Sequence, residues 1–130
     1  MDKKTNRHVS DSELAVLEVL WAHGRLKVAA LRELLNRSDR DWAYNTVQTL
    51  LTRLQEKGYV ACEKEGRAHV FSATVTQDMF LGGRLDELAE RLCRGSRTPL
   101  MLALVKNQQL SKTDIDELRQ MLDELEHGKD

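Results

Sequence analysis

No stretch of this 130-residue chain comes near the roughly 20 consecutive apolar residues that a membrane helix requires. The longest apolar run is Leu100 to Val105. The opening MDKKTNRHVSDSE lacks the apolar core of a signal peptide, so the chain is expected to remain in the cytoplasm. Cysteine is scarce. Cys62 and Cys93 stand far apart, with no C-x-x-C and no nearby His at ligand spacing, which favours reduced structural thiols over a metal site. His8, His23 and His127 are scattered without partners at metal spacing. Catalytic signatures are missing as well: no nucleophile elbow surrounds a Ser, and no Gly-rich loop could cradle a phosphate. An enzyme is therefore the weakest class, and no cofactor or metal is expected. A large charge of one sign is also absent, since the formal net charge is −1, which excludes a blanket polyanion binder.

What is present is ordinary in bulk and uneven in detail. At 41% hydrophobic and 32% charged, the chain reads as a globular protein, one substantial domain or a small one with an appendage. Residues 1–75 hold 12 Lys+Arg against 10 Asp+Glu, whereas residues 76–130 hold 8 against 11. The first part is thus the more basic one.

That part contains WAYNTVQTLLTRLQEK, Trp42 to Lys57. Val47, Leu50, Leu51 and Leu54 recur at i, i+3, i+4 and i+7, one buried stripe of an α-helix. The opposite face carries Asn45, Gln48, Thr49, Thr52 and Arg53, hydrogen-bonding side chains of which one is charged. A solvated helix is usually laced with Lys and Glu instead. A face of amides, hydroxyls and one guanidinium suits a helix that reads base edges in the major groove.

The neighbouring elements give this helix a context. Ser10-Asp11-Ser12-Glu13 matches a capping box, and Leu14, Leu17, Leu20 and Trp21 form an apolar stripe stopped by Gly24 in the αL conformation, a helix over 11–23. Leu26 and Val28 suit a short strand before the second helix. Ala30, Leu31, Leu34 and Leu35 give a second helix over 28–37, followed by the polar turn Asn36–Asp41 and the third helix, 43–57, closed by Gly58. The period then changes. Residues 59–64 and 68–73 are strand candidates joined around Glu65-Gly66-Arg67. Three helices followed by a hairpin make a winged helix-turn-helix, whose third helix enters the major groove while the wing reaches the flanking backbone. The fold expected is mainly α, with a DNA-binding domain over 1–75.

Residues 76–130 serve another purpose. Leu81, Leu85, Leu88 and Leu92, and later Ile115, Leu118, Leu122 and Leu125, are heptad seams too short to be stable alone. Between them the segment after Pro99, with Leu100, Leu102 and Leu104, is apolar all round and requires burial on every side. A second subunit completing this core makes 76–130 a helical dimerisation domain; packing within one chain is the alternative. Ser111 and Asp114 resemble a capping box for the last helix, with Asp in place of Glu or Gln.

The stretch Asn45-Thr46-Val47-Gln48-Thr49-Leu50-Leu51-Thr52-Arg53-Leu54 strongly resembles the reader helix of the penicillinase-repressor family, of the form T-[IV]-x-T-L-[IL]-x-R-L. The similarity extends to Leu14–Trp21, to Lys57-Gly58-Tyr59 and to Leu104-Val105-Lys106-Asn107, and so covers nearly the whole chain. The resemblance implies a homodimeric transcriptional repressor on a dyad-symmetric operator. In members that respond to β-lactams, a membrane sensor-protease relieves repression by a cut in the apolar C-terminal helix. The equivalent bond here joins Ala103 and Leu104, although the Asn-Phe cut by that route is absent. The paired C-x-C motifs of copper-responsive members are absent too.

Individual side chains divide between readers and anchors. Gln48 can present its amide to adenine, and Asn45 either does the same or meets only water. Thr49 and Thr52 suit thymine methyls or phosphates. Thr46 serves the helix start or a phosphate. Arg53 suits a phosphate, in competition with an ion pair to Glu56 or Glu18. Lys64, Arg67 and His69 are wing candidates, with Arg67 foremost beside Gly66. Tyr44 donates to a phosphate or packs against the turn. Trp21 and Trp42 are expected in or near the core, and Gly82-Gly83 at a bend or close-packing point. The competing function is a winged-helix protein-interaction module that uses the same face without binding DNA.

Overall fold

A computed structural model describes residues 8–107 and 109–128, which belong to two compact units, Met1–Gly82 and Gly83–Asp130. The first unit contains α1 (Asp11–His23), β1 (Leu26–Lys27), α2 (Val28–Leu35), α3 (Tyr44–Glu56), β2 (Val60–Glu65) and β3 (Ala68–Ala73). It also holds the opening turns of α4 (Gln77–Cys93).

The capping box at α1 is complete. The Glu13 N–H donates to Ser10 Oγ at 3.1 Å, and the Ser10 N–H donates to Glu13 Oε1 at 2.9 Å. Gly24 ends the helix with φ 83° and ψ −145°, which corrects the expected αL stop. This region is still closed to side chains, so the position requires glycine. The strand that follows is shorter than expected. Val28 opens α2 and is buried in the core. α2 also stops at Leu35 rather than at residue 37.

Asn36 shapes the turn into α3. Its amide oxygen accepts from the Trp42 N–H at 2.9 Å, and its amide nitrogen donates to the Trp42 carbonyl at 3.0 Å. Arg32 Nε donates to the same carbonyl at 2.8 Å. The half-buried Trp42 ring lies under the Arg40 guanidinium, 5.2 Å from its centroid. The N-cap of α3 is Ala43, with no side-chain cap, so Thr46 does not cap the helix.

The sheet order is β1-β3-β2, antiparallel throughout, with Leu26 opposite Phe71, Cys62 opposite Phe71 and Lys64 opposite His69. The core beneath it is built from Val16, Leu17, Leu31, Leu35, Val47, Leu51 and Leu54, all fully buried. Trp21 Nε1 donates to the Val75 carbonyl at 2.9 Å, and Phe80 packs against the Trp21 and Tyr59 rings, with centroids 5.6 and 5.4 Å away. The unit therefore extends past the sheet into the start of α4. Trp21 is half-buried, as its amphipathic ring leads one to expect.

The second unit comprises the rest of α4, α5 (Thr98–Lys106) and α6 (Lys112–His127). Pro99 lies in the first turn of α5, where its missing N–H costs nothing. Ser111 and Asp114 form a full capping box for α6 despite the shorter acid. Within one chain Gly82 and Gly83 are not close-packing points, since an added Cβ would meet nothing within 4 Å. Ala89 is buried, whereas neither α5 nor α6 buries any described residue.

Candidate nucleic-acid interface

The two faces of α3 separate cleanly. Val47, Leu50, Leu51 and Leu54 are buried, and Asn45, Thr46, Gln48, Thr49, Thr52 and Arg53 are exposed. Anchoring one stripe in the core fixes the rotation of the helix, and so fixes which side chains face outward. A shallow concavity runs along this outer face, lined by Asn45, Gln48, Thr49, Thr52, Arg53 and Glu56. Beside it lies a groove of about 430 Å³ whose walls include Lys27, Tyr44, Gln48, Thr52, Arg67 and His69. Gln48 and Thr52 border both hollows. The fold thus brings the proposed reader helix and the wing to one surface.

Other predicted residues take distinct places. Lys64 is exposed on β2, opposite His69, and Thr46 is exposed at the start of α3. Tyr44 is 46% exposed, so packing against the turn does not bury its ring. Arg53 forms no ion pair with Glu56 or Glu18. With Ala43 as N-cap, the first N–H groups of α3 have no side-chain acceptor, which suits them to an approaching anion.

Three arrangements were not visible in the sequence. Cys62 Sγ lies 3.5 Å from His69 Nδ1, so the thiol does have a nearby His, brought there by pairing across the hairpin. Arg25 spans from the β1 edge to β2, with one guanidinium nitrogen 2.9 Å from Glu63 Oε1 and 2.5 Å from Glu65 Oε2. Hydrogen bonding and attraction from Glu65, with a smaller share from Glu63, raise Arg25 above its ordinary value. Behind α3, Lys57 Nζ donates to Glu13 Oε1 at 2.6 Å and to the His8 carbonyl at 2.6 Å. Burial alone would raise the Glu13 carboxyl, but the Lys57 ammonium and the Ser10 N–H outweigh it and hold the group below the usual carboxylate range.

In the second unit His127 is not isolated either. Its ring nitrogen lies 3.1 Å from Asp123 Oδ1, and Glu126 completes an exposed, acidic group. The heptad positions Leu92, Ile115, Leu118, Leu122 and Leu125 are exposed in the single chain, as are Leu102 and Leu104, while Leu85, Leu88 and Leu100 are half-buried. Leu81, in the first unit, is exposed too. Ala103 and Leu104 lie within α5 and are exposed. Among the described residues no helix is long and apolar enough to cross a membrane.

This geometry defines a winged helix-turn-helix protein. The solved homodimeric winged helix-turn-helix DNA-binding domain of Mb0332 from Mycobacterium bovis has the same fold, with a TM-score of 0.52 over 70% of this chain and 82% of that one, at 19% identity. The penicillinase repressor of Bacillus licheniformis is 31% identical over 121 residues, spanning 93% of this chain and 94% of that protein. The transcriptional regulator BlaI of Mycobacterium tuberculosis is 34% identical, spanning 92% of this chain and 86% of that protein. Residues 9–124 match the penicillinase repressor family, and the chain belongs to it. It is accordingly a DNA-binding transcriptional repressor and not an enzyme.

Proposed function

We propose that this repressor binds a dyad-symmetric DNA operator as a homodimer, with residues 1–75 binding DNA and residues 76–130 joining the two copies. One α3 enters each of two major grooves. Gln48 reads adenine through its amide, Asn45 extends the reading from the helix start, and Thr49 and Thr52 meet thymine methyls or the backbone. Tyr44, Thr46, Arg53, Lys64, Arg67 and His69 hold phosphates and set the register. The observation that carries this reading is the outer face of α3, almost uncharged and bordered by Arg67 and His69 of the wing. Amides and hydroxyls on such a face exchange bonds to water for bonds to base edges at modest net gain, and the match supplies specificity.

The dimer rests on the exposed leucines of the second unit, since burying one such side chain is worth roughly 1.5–3 kcal/mol. Release fits the same architecture. A cut at the Ala103–Leu104 bond of α5 by a membrane sensor-protease would separate α6 from the rest of the unit. A repressor acting on a DNA operator works in the cytoplasm.

Selection of bound duplexes from a random pool tests the reading. Gln48→Ala should lose preference at one base position per half-site, a discrimination of about 1–3 kcal/mol. Arg67→Ala should weaken all sequences alike and lower the salt slope by about 1. Unchanged base preference in Gln48→Ala removes it as a reader.

A further inference from the structure

The wing carries as many acids as permanent cations, an odd composition for a segment that approaches a polyanion. Glu63 and Glu65 stand against Lys64 and Arg67 in β2 and the turn that follows. Strand alternation sorts them. Successive residues of β2 point to opposite faces, so Cys62 and Lys64 share one face while Glu63 and Glu65 share the other. The register agrees: Lys64 pairs with His69, and Cys62 lies 3.5 Å from the His69 ring on that same face. Cys62 and His69 also line the groove that contains Gln48 of α3. The carboxylates therefore occupy the wing face away from the reader helix.

Segregation alone does not silence them. Charges on the two faces of a single sheet lie within about 10 Å of each other, close to the screening length at moderate salt. Arg25 lies against both carboxylates, reaching from the β1 edge across β3. All three side chains are about half-exposed or more, so the cluster contributes little to folding stability. Its effect falls on the field of the wing.

We propose that Arg25 is a positioning residue for DNA binding, a clasp that holds and neutralises Glu63 and Glu65 so that the wing presents a cationic face to phosphates. The inference rests on the DNA-binding reading above, and Arg25 itself need not touch DNA. Without Arg25, two unpaired carboxylates would stand behind Lys64 and Arg67 and weaken their attraction for phosphates.

The test uses the full chain and a mixed-sequence 40-base-pair duplex, so that no operator need be known. Arg25→Ala should weaken binding about three- to ten-fold at moderate salt, with little change in melting temperature. Selection from a random pool should return the same base preference. The decisive measurement is the cycle that combines Arg25→Ala with Glu63→Gln/Glu65→Gln. The glutamine pair should raise affinity more in the Arg25→Ala background than in the unaltered chain, because only there are the acids unclasped. Strict additivity overturns the clasp, since it means that three charges act independently; so does unchanged affinity in Arg25→Ala. Failure of the unaltered chain to bind any duplex at low salt would overturn the DNA-binding reading itself.

Discussion

Glu13 shows how one side chain couples distant parts of the chain. It closes the cap of α1 and also receives Lys57, which sits just after α3. The carboxylate is almost fully buried, so its charge depends on these partners. Lys57→Met should cost about 1–2 kcal/mol at neutral pH in urea unfolding, the lower part of the range for a charged hydrogen bond because Lys57 is partly exposed. The folded Glu13 carboxyl titrates below its unfolded value. Its stabilisation is therefore complete above the ordinary carboxylate range and is lost as pH falls through the folded value. The gap between Lys57→Met and the unaltered chain should accordingly shrink in acid; a gap constant down to pH 3 would place its origin elsewhere. Half of this arrangement is legible in the sequence. Ser10 and Glu13 lie three residues apart and declare the cap, whereas Lys57 is 44 residues from Glu13 and nothing local announces it. The proximity of Cys62 and His69 is not legible for the same reason, because strand register and not spacing brings them together.

At the scale of elements, periodicity located the helices well, since a buried stripe leaves a mark every three or four residues. α1 spans the expected residues, and the hairpin lies where the period changes. The β1–α2 junction is not legible in the sequence, because Leu26 and Val28 satisfy a strand alternation and a helix start equally; in the structure Val28 opens α2 and is buried. The presentation of α3 depends on the turn before it. Asn36 holds both backbone groups of Trp42, in effect a side chain standing in for a strand partner. Asn36→Ala should destabilise the fold by about 1–2 kcal/mol, through two lost hydrogen bonds to a part-buried peptide. It should also reduce operator affinity beyond that of a destabilised control such as Lys57→Met, because the start of α3 loses its fixed direction. Equal affinity in the two variants would show that the turn does not set the reader.

For the whole molecule, the contrast between the units matters most. The first buries a continuous core, while α5 and α6 leave Leu102, Leu118, Leu122 and Leu125 open to water in a single chain. Under the proposed dimer, stability of the second unit follows protein concentration by mass action. Dilution should lower its melting point and leave that of the first unit unmoved, and Leu118→Asp with Leu122→Asp should give a monomer in sedimentation. A monomer in the unaltered chain at micromolar concentration would remove the leucine seam as an interface. The heptad spacing was plain in the sequence, but one chain's sequence does not contain its partner's surface.

The chain has two indoles, and they are placed for different tasks. Trp21 is tied to Val75 and lies tilted against Phe80, whereas Trp42 precedes the N-cap of α3 with a guanidinium over its ring. In Trp21→Phe the remaining indole is a native optical probe at the threshold of the reading surface. Its emission would register the arrival of an unlabelled duplex, making kinetics accessible without attaching a dye.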